Sequence, residues 1–477
     1  MLRDDDRPGR VARAALRLTA WTERRIPDAF IFALLATILV VSAALAWTSS
    51  TAGQIVDAWG NGFWDLIPFT LQMALIIITG HVLATSAPMV RAIRAIASWP
   101  TTPKGAVVLV TAFALVTSWF NWGFSLVFSA VLGREVARRV KQVDYRDLGA
   151  ASVLGLGSIW AQGLSGSAAL QMATPGALQP QIRDIVAAGD LVPGGLIPFR
   201  HTIFLWQSLL SVVIEIAVVC AVMYLAAPPA SKAKTAADLG IDLGEGEGGA
   251  HAQPSVAASI PPGAWLEHSP ILNILVVALG LAYAVRYFGR APEPLNALTV
   301  NVLNFLFLMV GILLHRTPAR LMHAVKAATP AVWGVILQFP FYAGIAAVIT
   351  STHLNERLAN AFVSLSTPHT YPAIVAMYSA VLGVFVPSGG SKWVIEAPYV
   401  MAAAHALKVH LGWVVEAYDL GEALANLLQP FWMLPVLGVF GLRARDVMGY
   451  TFIVALALAP LVFLLVTLLG ATLPYPL

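Results

Sequence analysis

Charge is what this chain has least of. Asp, Glu, Lys and Arg together make up 11% of the 477 residues, against about a quarter in soluble domains. That scarcity excludes an ordinary water-facing surface. With 58% hydrophobic residues and a mean hydropathy of +0.75, the class left is a polytopic membrane protein that sits in a lipid bilayer. Cysteine is nearly absent as well. Cys220 stands alone, which rules out an internal disulfide, and its apolar neighbours mark it as inert core. The chain has no Walker phosphate loop, no His-Glu-x-x-His pair and no Gly-x-Ser-x-Gly turn, so it reads as a protein that is not an enzyme and needs no cofactor. Its formal charge of +4 gives no reason to expect a nucleic-acid partner. What it does have is long apolar runs, two of them interrupted. Thr117-Ser118-Trp119-Phe120-Asn121-Trp122-Gly123 and Val386-Pro387-Ser388-Gly389-Gly390-Ser391-Lys392-Trp393 put small polar residues where buried helix would otherwise continue. Irregular polar backbone at membrane depth is tolerated only where protein buries it or a wet cavity meets it.

Loop charges predict a topology. Residues 1–27 carry Arg3, Arg7, Arg10, Arg13, Arg17, Arg24 and Arg25 ahead of the apolar run Ala29 to Trp47. This run is nearer a spanning helix than the short core of a signal peptide. The positive-inside rule then places the amino terminus in the cytoplasm. Thr48 to Asp65 has no Lys or Arg and falls outside, and Leu66 to Ala87 returns to a loop with Arg91, Arg94 and Lys104. Gly105 to Leu132 has basic flanks at both ends, which a single span cannot have. Its arms on either side of Ser118 to Gly123 look too short to cross about 30 Å of hydrocarbon at about 1.5 Å per residue. Residues 105–132 are therefore expected to form a re-entrant hairpin.

A broken helix, 148–174, follows, interrupted at Gly163-Leu164-Ser165-Gly166-Ser167, and Leu196 to Leu225 completes a first repeat over 28–226. Residues 227–270 are a Pro, Ala, Gly and Ser linker that cannot fold alone and is placed in the cytoplasm. After a connecting helix at 271–287, residues 295–477 repeat the grammar in the opposite orientation. Spans at Leu295 to Leu314 and Ala327 to Thr350 lead to a second hairpin at 371–406, split at Pro387 to Lys392. A second broken helix, 420–442, is interrupted at Asn426-Leu427-Leu428-Gln429-Pro430, and a last helix, Val447 to Leu469, leaves the carboxyl terminus outside. The expected fold is all-α and polytopic, with two inverted-topology repeats of about nine spanning helices plus two hairpins.

The interruptions carry the chemistry. Helix ends at a hairpin tip leave N–H groups and a positive dipole end that suit a carboxylate, while freed carbonyls and hydroxyls suit a small cation. Ser118, Asn121, Trp122, Ser165 and Ser167 supply these groups in the first half. Ser388, Gly389, Gly390, Ser391, Lys392, Trp393, Asn426 and Gln429 supply them in the second. Small residues also permit close helix packing, but interruptions in inverted register favour a site. Trp119, Trp160 and Trp432 join Trp122 and Trp393 as candidate walls around a short carbon chain. Ionisable residues inside hydrocarbon are costly and so point to function. Glu215 and Glu396, with Asn121 and Ser388, are the candidates for ion coupling, to sodium at the hairpin tips or to protons. His81 is a further ionisable residue in an apolar run. Lys392 is expected either to pair with Glu396 four residues on or to face a substrate carboxylate. Asp419 and Glu422 are expected near the outer surface.

Several of these segments resemble the bacterial short-chain fatty acid transporters. The residues carrying the resemblance are Ile26-Pro27-Asp28-Ala29-Phe30-Ile31-Phe32-Ala33, Ser118-Trp119-Phe120-Asn121-Trp122-Gly123-Phe124 and Arg134-Glu135-Val136-Ala137-Arg138-Arg139-Val140. Gly163-Leu164-Ser165-Gly166-Ser167, Val386-Pro387-Ser388-Gly389-Gly390, Gln429-Pro430-Phe431-Trp432 and Arg445-Asp446-Val447-Met448-Gly449-Tyr450 complete the set, which covers nearly the whole chain apart from the linker. The resemblance implies a secondary carrier of the bacterial cytoplasmic membrane, related to the ion transporter superfamily. In that superfamily hairpin tips build substrate and cation sites, and homodimers are common. The best-known relative is associated with acetoacetate and butyrate. The second tip departs from the family pattern, with Ser391-Lys392 where glycine and glutamine precede the tryptophan, so an added cation bears on substrate charge or size. Two carrier readings follow. One is cation-coupled transport of short-chain monocarboxylates by alternating access. The other is transport or export of a different carboxylate, such as a dicarboxylate or an acyl amino acid.

Overall fold

A backbone in hydrocarbon has to close its own hydrogen bonds, and this sequence does so with helices. The computed structural model describes residues 8–477 except 26, 28, 174–179, 191, 245–261, 292–299, 355, 358, 359, 361–363 and 388, and all of its regular elements are helical. Helix α1 (Arg10–Arg25) precedes the apolar α2 (Ala29–Trp47), and α3 (Ala52–Gly62) opens on a capping box between Thr51 and Gln54. A bent pair follows, α4 (Ile67–Ala84) and α5 (Ala87–Ala97), whose axes differ by 81°. Next come α6 (Pro103–Phe120), α7 (Trp122–Arg139), α8 (Tyr145–Val153), α9 (Ser167–Ala173), α10 (Pro180–Val186) and α11 (Trp206–Ala226). Beyond the linker lie α12 (Trp265–His268), α13 (Ile271–Arg290), α14 (Val300–His315), α15 (Pro318–Ala328) and α16 (Trp333–Ser351). The chain ends with α17 (Tyr371–Phe385), α18 (Gly389–Ala406), α19 (Leu411–Leu428), α20 (Leu434–Phe440) and α21 (Ala444–Gly470).

Five of the described helices, α6, α11, α13, α16 and α21, are long and apolar enough to cross a membrane. The bent pairs α4–α5 and α19–α20, the second kinked by 74°, raise the number to seven, and three shorter apolar helices lie in α2, α14 and α17. The architecture is the all-helical, multi-span one that the composition demands.

Both interrupted runs turn back on themselves. Asn121 separates α6 from α7, and the Ser125 hydroxyl donates to the Ala114 carbonyl across the pair at 2.7 Å. Each arm is 18 residues long, about 27 Å at about 1.5 Å per residue, so the arms are longer than the sequence suggests and come close to the ~30 Å of hydrocarbon. Thr102 caps α6 and Pro103 starts it, while Arg138 and Arg139 still belong to α7. Charged residues at a helix end keep their backbone bonds while the side chains reach polar surroundings. In the second hairpin α18 begins at Gly389, so Gly390, Ser391 and Lys392 lie in its first turn and not in an open tip. The Tyr371 hydroxyl donates to the Val400 carbonyl at 2.7 Å and holds the arms together.

The first broken helix is unwound over a longer stretch than the sequence suggests. Between α8 and α9 the backbone passes through turns and a 3-10 segment, Ile159–Gln162. The second breaks at Gln429 and Pro430, with Asn426 still inside α19. α19 is the centre of the molecule. Every residue from Leu411 to Leu427 is buried, and α17, α18, α21 and α9 pack around it. α13 is the opposite case, with only Asn273 and Gly280 buried.

The described part of the linker is pinned, not free. Lys234 receives the Tyr145 N–H at its carbonyl, at 2.9 Å, and donates its own N–H to Asp144 at 3.1 Å. Arg138 reaches the Leu243 carbonyl. Arg146, itself buried, bonds Asp144 at 2.6 Å and Glu23 at 2.7 Å, so α1 is clamped to the start of α8. Burial alone would raise the Glu23 carboxyl, but the Arg146 hydrogen bond and charge, joined by Lys234, hold it below its ordinary value. A lowered folded value means that stability is present above the unfolded value and is lost as pH falls through the folded one. Glu23→Gln is therefore expected to lower unfolding stability by about 1 kcal/mol at neutral pH. The difference from the wild type should vanish in acid, as read by thermal unfolding of the detergent-solubilised protein across pH.

Candidate functional site

The four interruptions meet in one buried layer. The first tip docks on the first break: Leu164 N–H donates to the Trp119 carbonyl at 2.8 Å, and Trp122 N–H donates to the Ser165 hydroxyl at 3.1 Å. Gly163 makes the approach possible, since a Cβ there would lie 2.4 Å from the Trp119 carbonyl oxygen. Asn121 caps α7 by accepting the Phe124 N–H at 3.0 Å. Ser118 is fully buried, and its hydroxyl has no partner among the described residues. The second tip reaches the same break from the other half. Gln171 donates to the Gly390 carbonyl at 3.0 Å, and Gly389 lies against Trp160 and Ser167. Trp160 in turn donates to the Ser165 carbonyl at 2.8 Å.

The second break closes the layer. Asn426 donates to the Leu156 carbonyl at 3.1 Å and accepts from Gln429, whose own oxygen takes the Phe431 N–H at 2.6 Å. Trp122 meets Trp432 edge-on at 5.3 Å, which joins first tip to second break. Trp393 is buried against Tyr418 at 4.7 Å. Ser388 and the Ser391 side chain lie outside the described residues. His81 is half-buried on α4.

The charged residues are arranged differently from the expectation. Asp419 and Glu422 are buried inside the protein and not at its surface. Both have 0% exposure, as does Glu416. The three acids recur every third residue along α19, and each such step turns the side chain by about 60° around the axis, so each faces a different neighbour. Glu416 faces α11, where the Ser208 hydroxyl donates to it at 3.3 Å. Asp419 faces α9 and accepts the Ala168 and Ala169 N–H groups at 2.8 and 3.4 Å. The amino-terminal end of α9 is thus occupied by one of the protein's own carboxylates. Glu422 faces the second hairpin and forms an ion pair with Lys392. Lys392 therefore pairs with Glu422 across two helices, while Glu396, buried at 1% exposure, sits one turn further along α18.

Glu215 is buried and held. It accepts from Gln162 at 2.7 Å and Ser211 at 2.8 Å, and the Ser208 hydroxyl lies 3.4 Å from Gln162 and 3.3 Å from Glu416. A polar thread thus runs from Glu215 on α11, through Gln162 in the first break, to Glu416 on α19. Glu416, Gln162, Ser208 and Ser211 were not singled out in the sequence. Three acids at a three-residue spacing within an otherwise apolar helix were the available signal. Starting the broken helix at residue 420 instead of Leu411 left two of them outside it. Among the described residues no group of three or more His, Cys, Asp or Glu side chains is arranged to hold a metal ion.

Two variants test this geometry. Asp419→Asn keeps an acceptor for the α9 amides and should remain folded, whereas Asp419→Ala strands two buried N–H groups and should cost about 1–3 kcal/mol. Equal thermal stabilities would contradict the contact. Gly163→Ala should lower stability by about 1–3 kcal/mol through overpacking against Trp119, and an unchanged unfolding temperature would remove the docked tip.

Comparison with known proteins covers the whole layer. Residues 10–469 match the family model described as short chain fatty acid transporter. A protein of Escherichia coli (strain K12), named provisionally as a short-chain fatty acid transporter, is 39% identical over 457 residues, 96% of this chain and 98% of that one. One of the same provisional name from Haemophilus influenzae is 35% identical over 455 residues, 94% and 98% of the two chains. Among solved structures, the YdaH transporter of Alcanivorax borkumensis superposes with a TM-score of 0.44 at 15% identity, over 97% of this chain and 99% of that one. The antimetabolite efflux pump MtrF of Neisseria gonorrhoeae superposes with a TM-score of 0.42 at 13% identity, over 97% and 98%.

Proposed function

The chain belongs to the short-chain fatty acid transporter family, and on that premise we propose that it is a secondary carrier that moves short-chain monocarboxylates by cation-coupled alternating access. The observation that carries this reading is the single buried layer in which both hairpin turns and both helix breaks meet, built from hydroxyl, amide and glycine groups with tryptophan walls. In this reading residues 28–226 and 295–477 are inverted repeats, joined by the linker 227–270 and the helix 271–287. The α6–α7 and α17–α18 pairs act as re-entrant hairpins that expose the layer to opposite sides in turn. Ser118, Asn121, Ser165, Ser167, Ser388, Ser391, Asn426 and Gln429 supply the polar contacts, and Trp122 and Trp393 line the apolar end of the substrate. Lys392 attracts the carboxylate, and Gly389 and Gly390 let it approach the backbone. Asn121, Ser388, Glu215 and Glu396 are the coupling candidates, with a proton or sodium as the driving ion. The carrier sits in the bacterial cytoplasmic membrane as a homodimer, amino terminus inside and carboxyl terminus outside.

A dicarboxylate would ask the site for more positive charge. Lys392 is already matched by Glu422, which favours the monocarboxylate. Uptake of labelled butyrate and acetoacetate into proteoliposomes, with sodium and proton gradients imposed separately, tests the reading. Accumulation of either compound driven by one gradient is expected. Lys392→Met should reduce that uptake by about tenfold to a hundredfold, the loss of a hydrogen bond to a charged group. Accumulation of a dicarboxylate or acyl amino acid, with neither monocarboxylate moved, would sink the assignment.

A further inference from the structure

We propose that Glu422 and the substrate carboxylate compete for Lys392, so that each monocarboxylate anion binds together with one proton, carried by Glu422. This rests on the carrier reading above and names its coupling ion and the residue that holds it. An ammonium group has three N–H bonds and no acceptor. Lys392 Nζ directs them at the Ser379 carbonyl at 2.8 Å, the Ser379 hydroxyl at 3.0 Å and the Glu422 carboxylate. The Tyr418 ring covers the group from 5.0 Å. Lys392 and Glu422 are 1% and 0% exposed. The lysine therefore has no hydrogen left for a substrate, and a carboxylate can engage it only by taking the place of Glu422.

That exchange keeps Lys392 compensated but strands Glu422. A buried charge left without its partner costs about 3–5 kcal/mol, and among the described residues its surroundings offer no second cation. Among the described residues, Glu396 on α18 and Asp419 and Tyr418 on α19 are the other ionisable groups around the pair; one Asp419 oxygen takes the α9 amides and the other is buried without a hydrogen-bond partner. From α17 come Ser379, Tyr371, whose hydroxyl is tied to Val400, and Gly383. A Cβ on Gly383 would lie 2.8 Å from Glu422 and 3.2 Å from Lys392, so no bulk is available there to shield the charge. On α21 the acid and the arginines lie near its Ala444 end, where Asp446 pairs with Arg443. Uptake of a proton by a Glu422 oxygen removes the cost.

In two states the Lys392 charge is matched by a single anion. In one, Lys392 pairs with ionised Glu422 and no substrate is present. In the other, Lys392 pairs with the substrate anion and Glu422 is protonated. The mixed states, substrate with ionised Glu422 or protonated Glu422 without substrate, each leave one charge unmatched in a dry site. Only the two balanced states cross between the sides. The proton enters from water on the side where the anion enters, and both leave on the other side as Glu422 re-forms its pair. The cycle moves one anion and one proton with no net charge.

The test uses the full chain, purified and reconstituted. Butyrate binding to the wild type should weaken about tenfold per pH unit on the alkaline limb, the linkage of one proton to one anion. Glu422→Gln, which imitates the protonated acid, should bind butyrate with no such slope, retain butyrate exchange, and lose accumulation driven by a pH gradient. The double variant K392M/E422Q replaces the buried pair by neutral groups and should fold, yet bind butyrate at least tenfold more weakly than E422Q. A wild-type pH slope retained in E422Q would overturn the proposal. So would equal affinity in the double variant, or sodium-driven accumulation with no pH slope in the wild type. If the wild type binds another carboxylate in place of butyrate and acetoacetate, the substrate assignment fails by itself. The slope measured with that carboxylate then decides the exchange.

Discussion

Helix α19 carries Glu416, Asp419 and Glu422 with no exposed surface on any of them, and a polar or charged group from a different neighbouring element meets each of the three. An ionised carboxylate withdrawn from water is tolerated only where partners replace its hydration. Each acid finds a different partner: a serine hydroxyl on α11, two backbone amides on α9, an ammonium on α18. Because successive acids turn around the helix axis, satisfying all three places α11, α9 and the second hairpin around one helix. The apolar packing of α17 and α21 against the same helix then seals the charges away from lipid.

The breaks follow the same logic for the backbone. Unwinding a helix at membrane depth frees N–H and C=O groups that lipid cannot satisfy. Here the freed groups of one element are taken up by another: Trp119 by Leu164, Trp122 by Ser165, Leu156 by Asn426, Gly390 by Gln171. The two halves of the chain are therefore joined through their irregular segments as well as through helix faces.

Much of this was legible along the chain. The apolar runs of α11 and α21, the turn at Asn121 and the break at Gln429-Pro430 are local features, and local hydrogen-bond rules decide them. Arm length was misjudged at α6 and α7 because hydropathy ends at the charged residues while the helix continues beneath them. The first break is longer than its glycines suggest, since Ile159–Gln162 adopts a 3-10 turn that only contact with the first tip and α19 explains. Lys392 stands out in the sequence, which offers Glu396 or a substrate carboxylate as its partner, but the Glu422 across the interface with α19 is visible only in the tertiary structure.

Composition and periodicity by themselves determined that this chain is a bundle of apolar helices with interrupted segments, because those properties depend on residues near each other in sequence. The family motifs lie in the same local segments. Which carboxylate meets which partner was decided only by the tertiary structure. The pairing of Lys392 with Glu422, the capture of α9 by Asp419 and the thread from Glu215 to Glu416 each depend on the rotation of α19 against its neighbours. That rotation is settled by the simultaneous burial of charges from both halves of the chain, a condition that no single segment contains.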